Sequence, residues 1–375
     1  MPNYRELKRL YETMGSEGAC RHLREALLKN HLNGEEFSVR DLFEAFVPSG
    51  RELVRMFNPG KSGGVSLLEA GGAVDTSAFS NITGQIVYSK VLDAFNDPGF
   101  LHPNAIAPVP TQFNGEKIPG LGRIGDEAES IGEGQKYPTV GISEEYVETP
   151  ETTKRGFIVP VTKEAIFFDR TGLILQRASE VAFWLGQNKE KRVLDVVLGA
   201  TNTYKRNGTS MSTYIASGGD YANLLASNTL SDWTDVEAAE LLFDDMTDPN
   251  TGEPVSVTAN SLIVPTALKH TARRIVRATE VRHGTDPITI AVNTLDDYQI
   301  LTSPLVKQRT GSDSTWFIGD PKRAFVYMEN WPVTVVSAPE NSEAEFTHDI
   351  VARYKVSERG APAVLDPRYM VRCTA

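Results

Sequence analysis

Only two cysteines, Cys20 and Cys373, occur in 375 residues, and they stand near opposite ends without a CxxC or Cys/His spacing around them. No disulfide framework or thiolate zinc site follows from such a pair. Long apolar runs are missing too. Nowhere do about 18 apolar residues stand together, the length a membrane-spanning helix requires. The opening MPNYRELKRLYETMG is polar and lacks the apolar core of a secretion signal, so a cytoplasmic product without a membrane anchor is expected. Histidine is sparse: His22, His31, His102, His270, His283 and His348 form no i, i+4 pair and no HExxH. No GxSxG nucleophile site is present either. Carboxylates such as Asp244 with Asp245 and Glu127 with Glu129 are abundant, but abundance in an acidic chain identifies no acid/base pair. The sequence therefore predicts no catalytic residue, no metal site and no cofactor. Positive charge also falls short, with 38 Lys+Arg against 49 Asp+Glu and a net charge of -11. That balance argues against a dedicated nucleic-acid binder, which concentrates cations to displace phosphate counterions.

What is present reads as a folded chain: 40% hydrophobic, 23% charged and 9% aromatic residues are ordinary for a globular protein. The length suggests two or three folding units. Residues 4–14 and 17–32 carry apolar positions at helical spacing (Leu7, Leu10, Tyr11; Leu23, Leu27, Leu28), and Ser38 is placed to cap a third helix over 39–46. Pro59, Gly60, Gly63, Gly64, Gly71 and Gly72 then suggest a flexible exit, so that this first piece could detach from the rest. Residues 77–95 read as a helix or helix pair. Between 103 and 158 the composition shifts to Pro103, Pro108, Pro110, Pro119, Pro138 and Pro150 with many glycines. Such a stretch makes no compact core of its own, yet 139–147 and 154–160 keep strand-like alternation, and an extended two-stranded arm is the economical reading.

The strongest local signal follows: a helix over 171–198, capped by Asp169 or Thr171 and stopped by Gly199. Its first half places Ile174, Ala178, Val181 and Leu185 on one face, whereas the polar block 187–192 (QNKEKR) suggests a wetter second half. Residues 200–231, rich in Thr, Ser, Asn and Gly, read as a long loop. Helices are expected over 233–246, with Asp232 or Thr234 near its start, and over 266–278. Strands are expected at 261–264, 288–292, 316–318, 324–328, 333–336, 349–356 and 369–372. Helices interspersed with nonconsecutive strands indicate an α+β architecture.

Three short motifs tempt and fail. Gly120-Leu-Gly122-Arg-Ile-Gly125 matches the GxGxxG dinucleotide fingerprint, with Glu144 or Glu145 near the acidic position, but no buried strand precedes it and DEAESIGEG follows. Gly60-Lys61-Ser62 lacks the earlier glycine of a phosphate loop, because Arg55 stands there. Asp248-Pro-Asn250-Thr-Gly252-Glu lacks the ligand pattern and distal Glu of a calcium loop, and a turn explains the same letters.

Several stretches, in a fixed order, resemble the major capsid proteins of tailed bacteriophages with the HK-ninety-seven-like fold. Ala128-Glu-Ser-Ile-Gly-Glu133-Gly134, leading through Tyr137-Pro138, looks like the family's extended E-loop. Residues 147–149 to Val161-Thr162-Lys-Glu164, followed by Phe168-Asp169, are similar to the strand that returns before the long spine helix, whose place 171–199 occupies. Phe317-Ile-Gly319-Asp320 before Ala324-Phe-Val-Tyr327 looks like the step into a peripheral-domain strand. Val351-Ala-Arg353 and Ala363-Val-Leu-Asp366-Pro367 resemble the closing strands. The resemblance covers about 80–375 and departs before it.

It implies an α+β, HK-ninety-seven-like capsid fold with these parts: an N-terminal helical extension, scaffold-like or an arm (1–77); an N-arm helix region (78–102); an extended E-loop (103–158); a peripheral (P) domain with spine helix 171–198 (159–230); an axial (A) domain (231–318); and P-domain C-terminal strands (319–375). The function implied is a non-enzymatic major capsid protein that self-assembles through pentamers and hexamers into an icosahedral shell around phage double-stranded DNA, in the host bacterial cytoplasm. DNA is enclosed without sequence-specific binding, and an acidic or neutral inner wall fits such a container. Scaffold, portal and prohead protease are further implied partners. Lys117, Arg123, Glu133, Lys136 and Tyr137 on the arm are the candidate inter-subunit contacts. Some family members join arm lysines covalently to neighbouring asparagines; for Lys117 and Lys136 solvated or ion-paired lysines are the stronger expectation. The alternatives are an encapsulin-like bacterial nanocompartment shell and, less favoured, a nicotinamide-dependent enzyme using 120–125.

Overall fold

The computed structural model describes residues 4–29, 38–46, 73–120, 131, 133–134, 145–162, 173–217, 221–248, 252–282, 290–293, 295, 298–338 and 350–375. Outside them lie the glycine-rich exit with Gly60-Lys61-Ser62, the fingerprint beyond Gly120, and the cap candidates Asp169 and Thr171. In chain order the elements begin with α1 (Tyr4–Leu28), α2 (Val39–Phe46), α3 (Ala73–Phe95), α4 (His102–Ala105), β1 (Ala107–Pro110), β2 (Lys117–Pro119), β3 (Tyr146–Glu148) and β4 (Thr153–Thr162). They continue through α5 (Leu173–Val197), β5 (Lys205–Arg206), β6 (Thr209–Ser210), β7 (Leu224–Leu225), α6 (Trp233–Asp244), β8 (Ser261–Val264), α7 (Lys269–Val276), β9 (Glu280–Arg282), β10 (Ile290–Val292) and β11 (Gln299–Thr302). The chain closes with α8 (Pro304–Thr310), β12 (Trp316–Gly319), α9 (Pro321–Ala324), β13 (Phe325–Ser337), β14 (Ile350–Val364) and β15 (Met370–Cys373). The α+β class is thus observed.

Two compact units result, each assembled from three chain segments. The first holds Met1–Pro98, Lys154–Asn188 and Trp331–Arg359. Its core joins Leu23, Leu27, Val39, Leu42, Phe43 and Phe46 of α1 and α2 to Ile82, Ile86, Val91 and Phe95 of α3 and to Leu175, Ala178 and Leu185 of α5. The N-terminal helices therefore do not separate from the rest as the glycine-rich exit suggested, because their apolar faces are complete only against α3. Gly15, at φ +72°, breaks α1 where two helices were expected, a backbone angle that glycine adopts without steric cost.

The second unit holds Gly99–Thr153, Lys189–Asn330 and Gly360–Ala375. It is built on a five-stranded sheet in the order β11-β8-β12-β15-β7. Successive side chains of a strand point to opposite faces, and here both faces are covered. Leu262, Val264, Trp316, Ile318 and Val371 pack beneath α6 and α7. Ile263, Phe317 and Met370 pack on the other side with Val193, Leu194 and Val197 of α5. This is why the strands read as continuous apolar runs rather than alternating ones. At the start of α6, Asp232 forms the expected cap: it accepts from Trp233 N at 2.7 Å, and Asp235 accepts from Asp232 N at 2.9 Å.

Three readings need correction. The polar block 187–192 is not the wet half of its helix. Glu190 is 1% exposed and accepts from Leu101 N, His102 N and His102 Nδ1 at 2.7–2.9 Å, closing the start of α4. Lys189 stacks 4.2 Å above the Tyr327 ring and lies 3.6 Å from Glu329. Next, 200–231 is not a plain loop. It holds β5, β6 and β7, and Tyr204, Tyr214 and Tyr221 are buried in it. Asn223 is its pin: fully buried, it accepts from Ile215 N at 2.8 Å and donates to the carbonyls of Thr213, Pro367 and Met370 at 2.9–3.1 Å. Finally, the strands expected at 324–328 and 333–336 are one strand, β13.

Asn223→Ala strips a partner from the part-buried Ile215 N–H and from the three buried carbonyls that share its two amide protons. At roughly 1–3 kcal/mol for each group that stays unpaired, urea unfolding is expected to show a loss of about 3–5 kcal/mol. A loss below about 1 kcal/mol would mean that the segment is held by its tyrosines alone.

Candidate assembly surfaces

The two strands expected in the proline-rich stretch, 139–147 and 154–160, do not pair with each other: residues 139–144 lie outside the described residues, β3 pairs with β2, and β4 lies beside β14. β2 and β3 run antiparallel, Lys117 opposite Glu148 and Pro119 opposite Tyr146. The pairing does not stop there, because β3 continues onto β5 and β6 to give a four-stranded sheet. Lys117, 62% exposed at its side chain, lies 3.9 Å above the Tyr146 ring and 3.8 Å from Glu148, a loosely ion-paired lysine. Glu133 is exposed in a turn beside Gly134. Arg123, Lys136 and Tyr137 lie outside the described residues. Among the five candidates, only Lys117 is brought to named partners; Tyr146 and Glu148, which meet it, were not foreseen because their register becomes visible only once the strands pair.

The turn after β1 in the second unit is pinned by several side-chain hydrogen bonds. Val109 and Thr111 face β13, as the Thr111 N–Glu329 O bond of 2.9 Å shows, so Pro108 and Pro110 take the alternate, outward positions where a missing N–H breaks no ladder bond. Beyond them Asn330 Nδ2 donates to the carbonyls of Thr111 and Phe113 at 3.1 and 3.0 Å. Asn114 Oδ1 accepts from Thr152 N, and Thr149 Oγ1 accepts from Glu116 N. This frame presents Phe113 to solvent at 65% exposure. A large apolar side chain on a fixed backbone has already lost the entropy that docking would otherwise cost.

In the first unit β4 lies beside β14 as an edge strand, and residues 154–158 are all exposed, Ile158 at 60%. Gly156 is required there because a Cβ would sit 2.3 Å from Val356 O. Trp184 on α5 is 58% exposed. Single exposed apolar side chains are ordinary on a protein surface and become a partner site only where a neighbouring copy covers them.

The enzymatic features fare differently. Glu145, one of the acidic candidates beside the glycine fingerprint, is paired with buried Arg206 at 2.7 Å. A Cβ at Gly120 would crowd Glu145 and Tyr146 at 3.1 Å, so strand packing accounts for that glycine. Asp248 accepts Gly252 N through its carbonyl at 2.8 Å and faces Arg368 with its carboxylate at 3.9 Å, the turn expected in place of a calcium loop. Burial pushes the Cys373 thiol up to about 12 and raises that of Cys20. A cavity of about 320 Å³ in the first unit is lined by Arg24, Gly84, Tyr88, Val333, Val335 and Tyr354 among others, with no carboxylate or histidine in its described lining. No described helix is long and apolar enough to cross a membrane.

Residues 145–373 match the family model of the phage capsid proteins. The match spans more than half of the chain, and the chain belongs to that family. It is a structural protein of the major-capsid kind, a builder of an icosahedral shell, and an encapsulin-type compartment is not favoured. Among solved structures, a virus-like particle from Pyrococcus furiosus is 10% identical over 77% of this chain and 98% of its own, with a TM-score of 0.44. A protein of Mycobacterium phage Bobi is 12% identical over 76% and 89%, at 0.43. A phage-related protein of Bordetella bronchiseptica is 14% identical over 77% and 95%, at 0.45. None of the curated proteins compared matches the chain.

Proposed function

We propose that this chain forms the head of a tailed phage by assembling through pentamers and hexamers around double-stranded DNA, acting by adhesion and without catalysis. In this reading, residues 103–158 are an E-loop laid on an adjacent copy, the helix 171–198 is the spine, 231–318 form the axial domain, and 159–230 with 319–375 form the peripheral domain. Residues 1–77 are the N-terminal extension and 78–102 the N-arm. Lys117, Arg123, Glu133, Lys136 and Tyr137 belong to the contact surface of the arm. Assembly takes place in the host cytoplasm, with scaffold, portal and prohead protease as the partners of that process.

The observation that supports the reading best is Phe113, held out to water on a turn pinned by Asn330, Asn114 and Thr149. A subunit that repeats one contact many times gains a stable assembly from individually modest interfaces. Electron microscopy of the overexpressed full chain is expected to show closed shells, and denaturing electrophoresis of those shells a monomer band near 41 kDa without a ladder. Monodisperse monomers at every salt concentration would overturn the reading; a ladder would restore the covalent link at Lys117 or Lys136.

A further inference from the structure

The two helices on one face of the five-stranded sheet expose opposite charges. On α6, Glu237, Asp244 and the capping residue Asp245 are exposed, and Leu241 lies between them at 59% exposure. On α7, His270, Arg273, Arg274 and the capping residue Arg277 are exposed and Lys269 is half-buried. The seated faces are apolar: Val236, Ala239 and Phe243 on α6, and Ala272, Ile275 and Val276 on α7. None of these exposed acids and bases has an ion-pair partner among the described residues. Like charges spaced three or four apart on a helix repel; the basic face repeats its sign at that spacing, and on α6 the half-buried Glu240 stands three from Glu237 and four from Asp244. The carboxyl of Glu240 registers this: burial raises it first, and the charges of Glu237 and Asp244 raise it further. In a chain of net charge -11, an unpaired basic helix face is unexpected on composition.

Placement makes the two faces complementary between copies. α6 packs on β12 and β15, and α7 on β8 and β11, so the strand order β11-β8-β12-β15-β7 puts them over opposite halves of the sheet face. Rotation about an axis brings one flank of a subunit to the other flank of the next, the heterologous contact from which closed rings are built. We propose that the acidic face of α6 on one copy docks against the basic face of α7 on the next copy, with Leu241 desolvated at the centre. The proposal rests on the shell reading above, since it supplies the contact that closes a ring of copies. Charged rims around one apolar anchor give orientation and salt sensitivity, the pattern of a contact that must also be made and remade during assembly.

The test uses the full-length chain in three forms: Arg273→Glu with Arg274→Glu, Glu237→Arg with Asp244→Arg, and all four changes together. Circular dichroism and thermal melting first show that each is folded. Each pair of reversals is expected to lower the assembled fraction in sedimentation at least about tenfold through like-charge repulsion, and the four-fold swap to restore it to within about twofold of wild type. Equal mixing of the two pair variants is expected to restore even-numbered rings such as hexamers, in which the variants alternate, but not five-membered rings or closed shells. The contact is overturned if either pair assembles like wild type, or if folded four-fold swap protein stays as poor as the pairs. Particles of the Arg273/Arg274 variant that form normally but carry less nucleic acid would overturn it too, and would give the basic face to phosphate instead. Wild-type chain that forms no ring or particle at any salt concentration would sink the shell reading and this contact together, whereas intact wild-type shells with indifferent variants sink only the contact.

Discussion

Gly319→Ala is expected to abolish folding of the second unit. At this position φ is +147° and β12 lies against β15 so closely that a Cβ would stand 2.1 Å from Tyr369 O and 2.9 Å from Met370 Cα. Both obstacles are backbone, held by the Gly319–Met370 register of two central strands, so neither can swing aside as a side-chain tip would. The expected cost exceeds about 4 kcal/mol, the range reserved for strain or clash in a packed core, and the protein should appear in the insoluble fraction. Gly311→Ala is the control. It also has a left-handed φ of +69°, but nothing lies within 4 Å of its Cβ, so only the conformational cost of about 1–2 kcal/mol applies. Equal losses in the two variants, read by urea denaturation, would show that backbone angle and not contact decides the Gly319 case.

The second large effect is on assembly with the fold left intact. Phe113→Asp and Ile158→Asp replace side chains that are 65% and 60% exposed, so in the isolated subunit each should change stability by no more than about 0.5 kcal/mol. If these side chains are buried on a neighbouring copy, each aspartate forfeits roughly 1.5–3 kcal/mol of apolar burial and adds the desolvation of a charge. Because every subunit repeats the loss, shells are expected to disappear altogether. Normal shell yield from either variant, measured by size-exclusion chromatography and microscopy, would show that side chain to lie free of any neighbour.

What was legible in the sequence was carried by periodicity and capping. The start of α6 at Asp232, the run Ser261–Val264 and the long helix ending at Gly199 all stand where spacing and stop signals put them. At Gly199 the stop has a double cause, φ +68° and a Tyr214 ring 2.8 Å from any Cβ. What was illegible is held by side-chain-to-backbone bonds, which leave no period to read. Residues 200–231 look like a loop because Asn223 and the hydroxyls of Tyr214 and Tyr221, bonded to Val197 O and Ser212 O, do the work of an apolar stripe. Glu190 and Lys189 look like surface residues because their partners, His102 and Glu329, are 88 and 140 positions away in the sequence. The candidate contact surface was half legible. Proline and glycine mark the stretch that carries Lys117, but Phe113 leaves no signal in it because its exposure depends on a turn pinned by Asn330 from more than two hundred residues away.

The most direct measurement is oxidative footprinting of side chains, comparing assembled particles with dissociated subunits under matched dose. A shell subunit whose neighbours cover its apolar surface should show Phe113 and Ile158 labelled in the free chain and protected several-fold in the particle, while the core residue Trp316 stays dark in both. Equal labelling of Phe113 and Ile158 in the two states would contradict it.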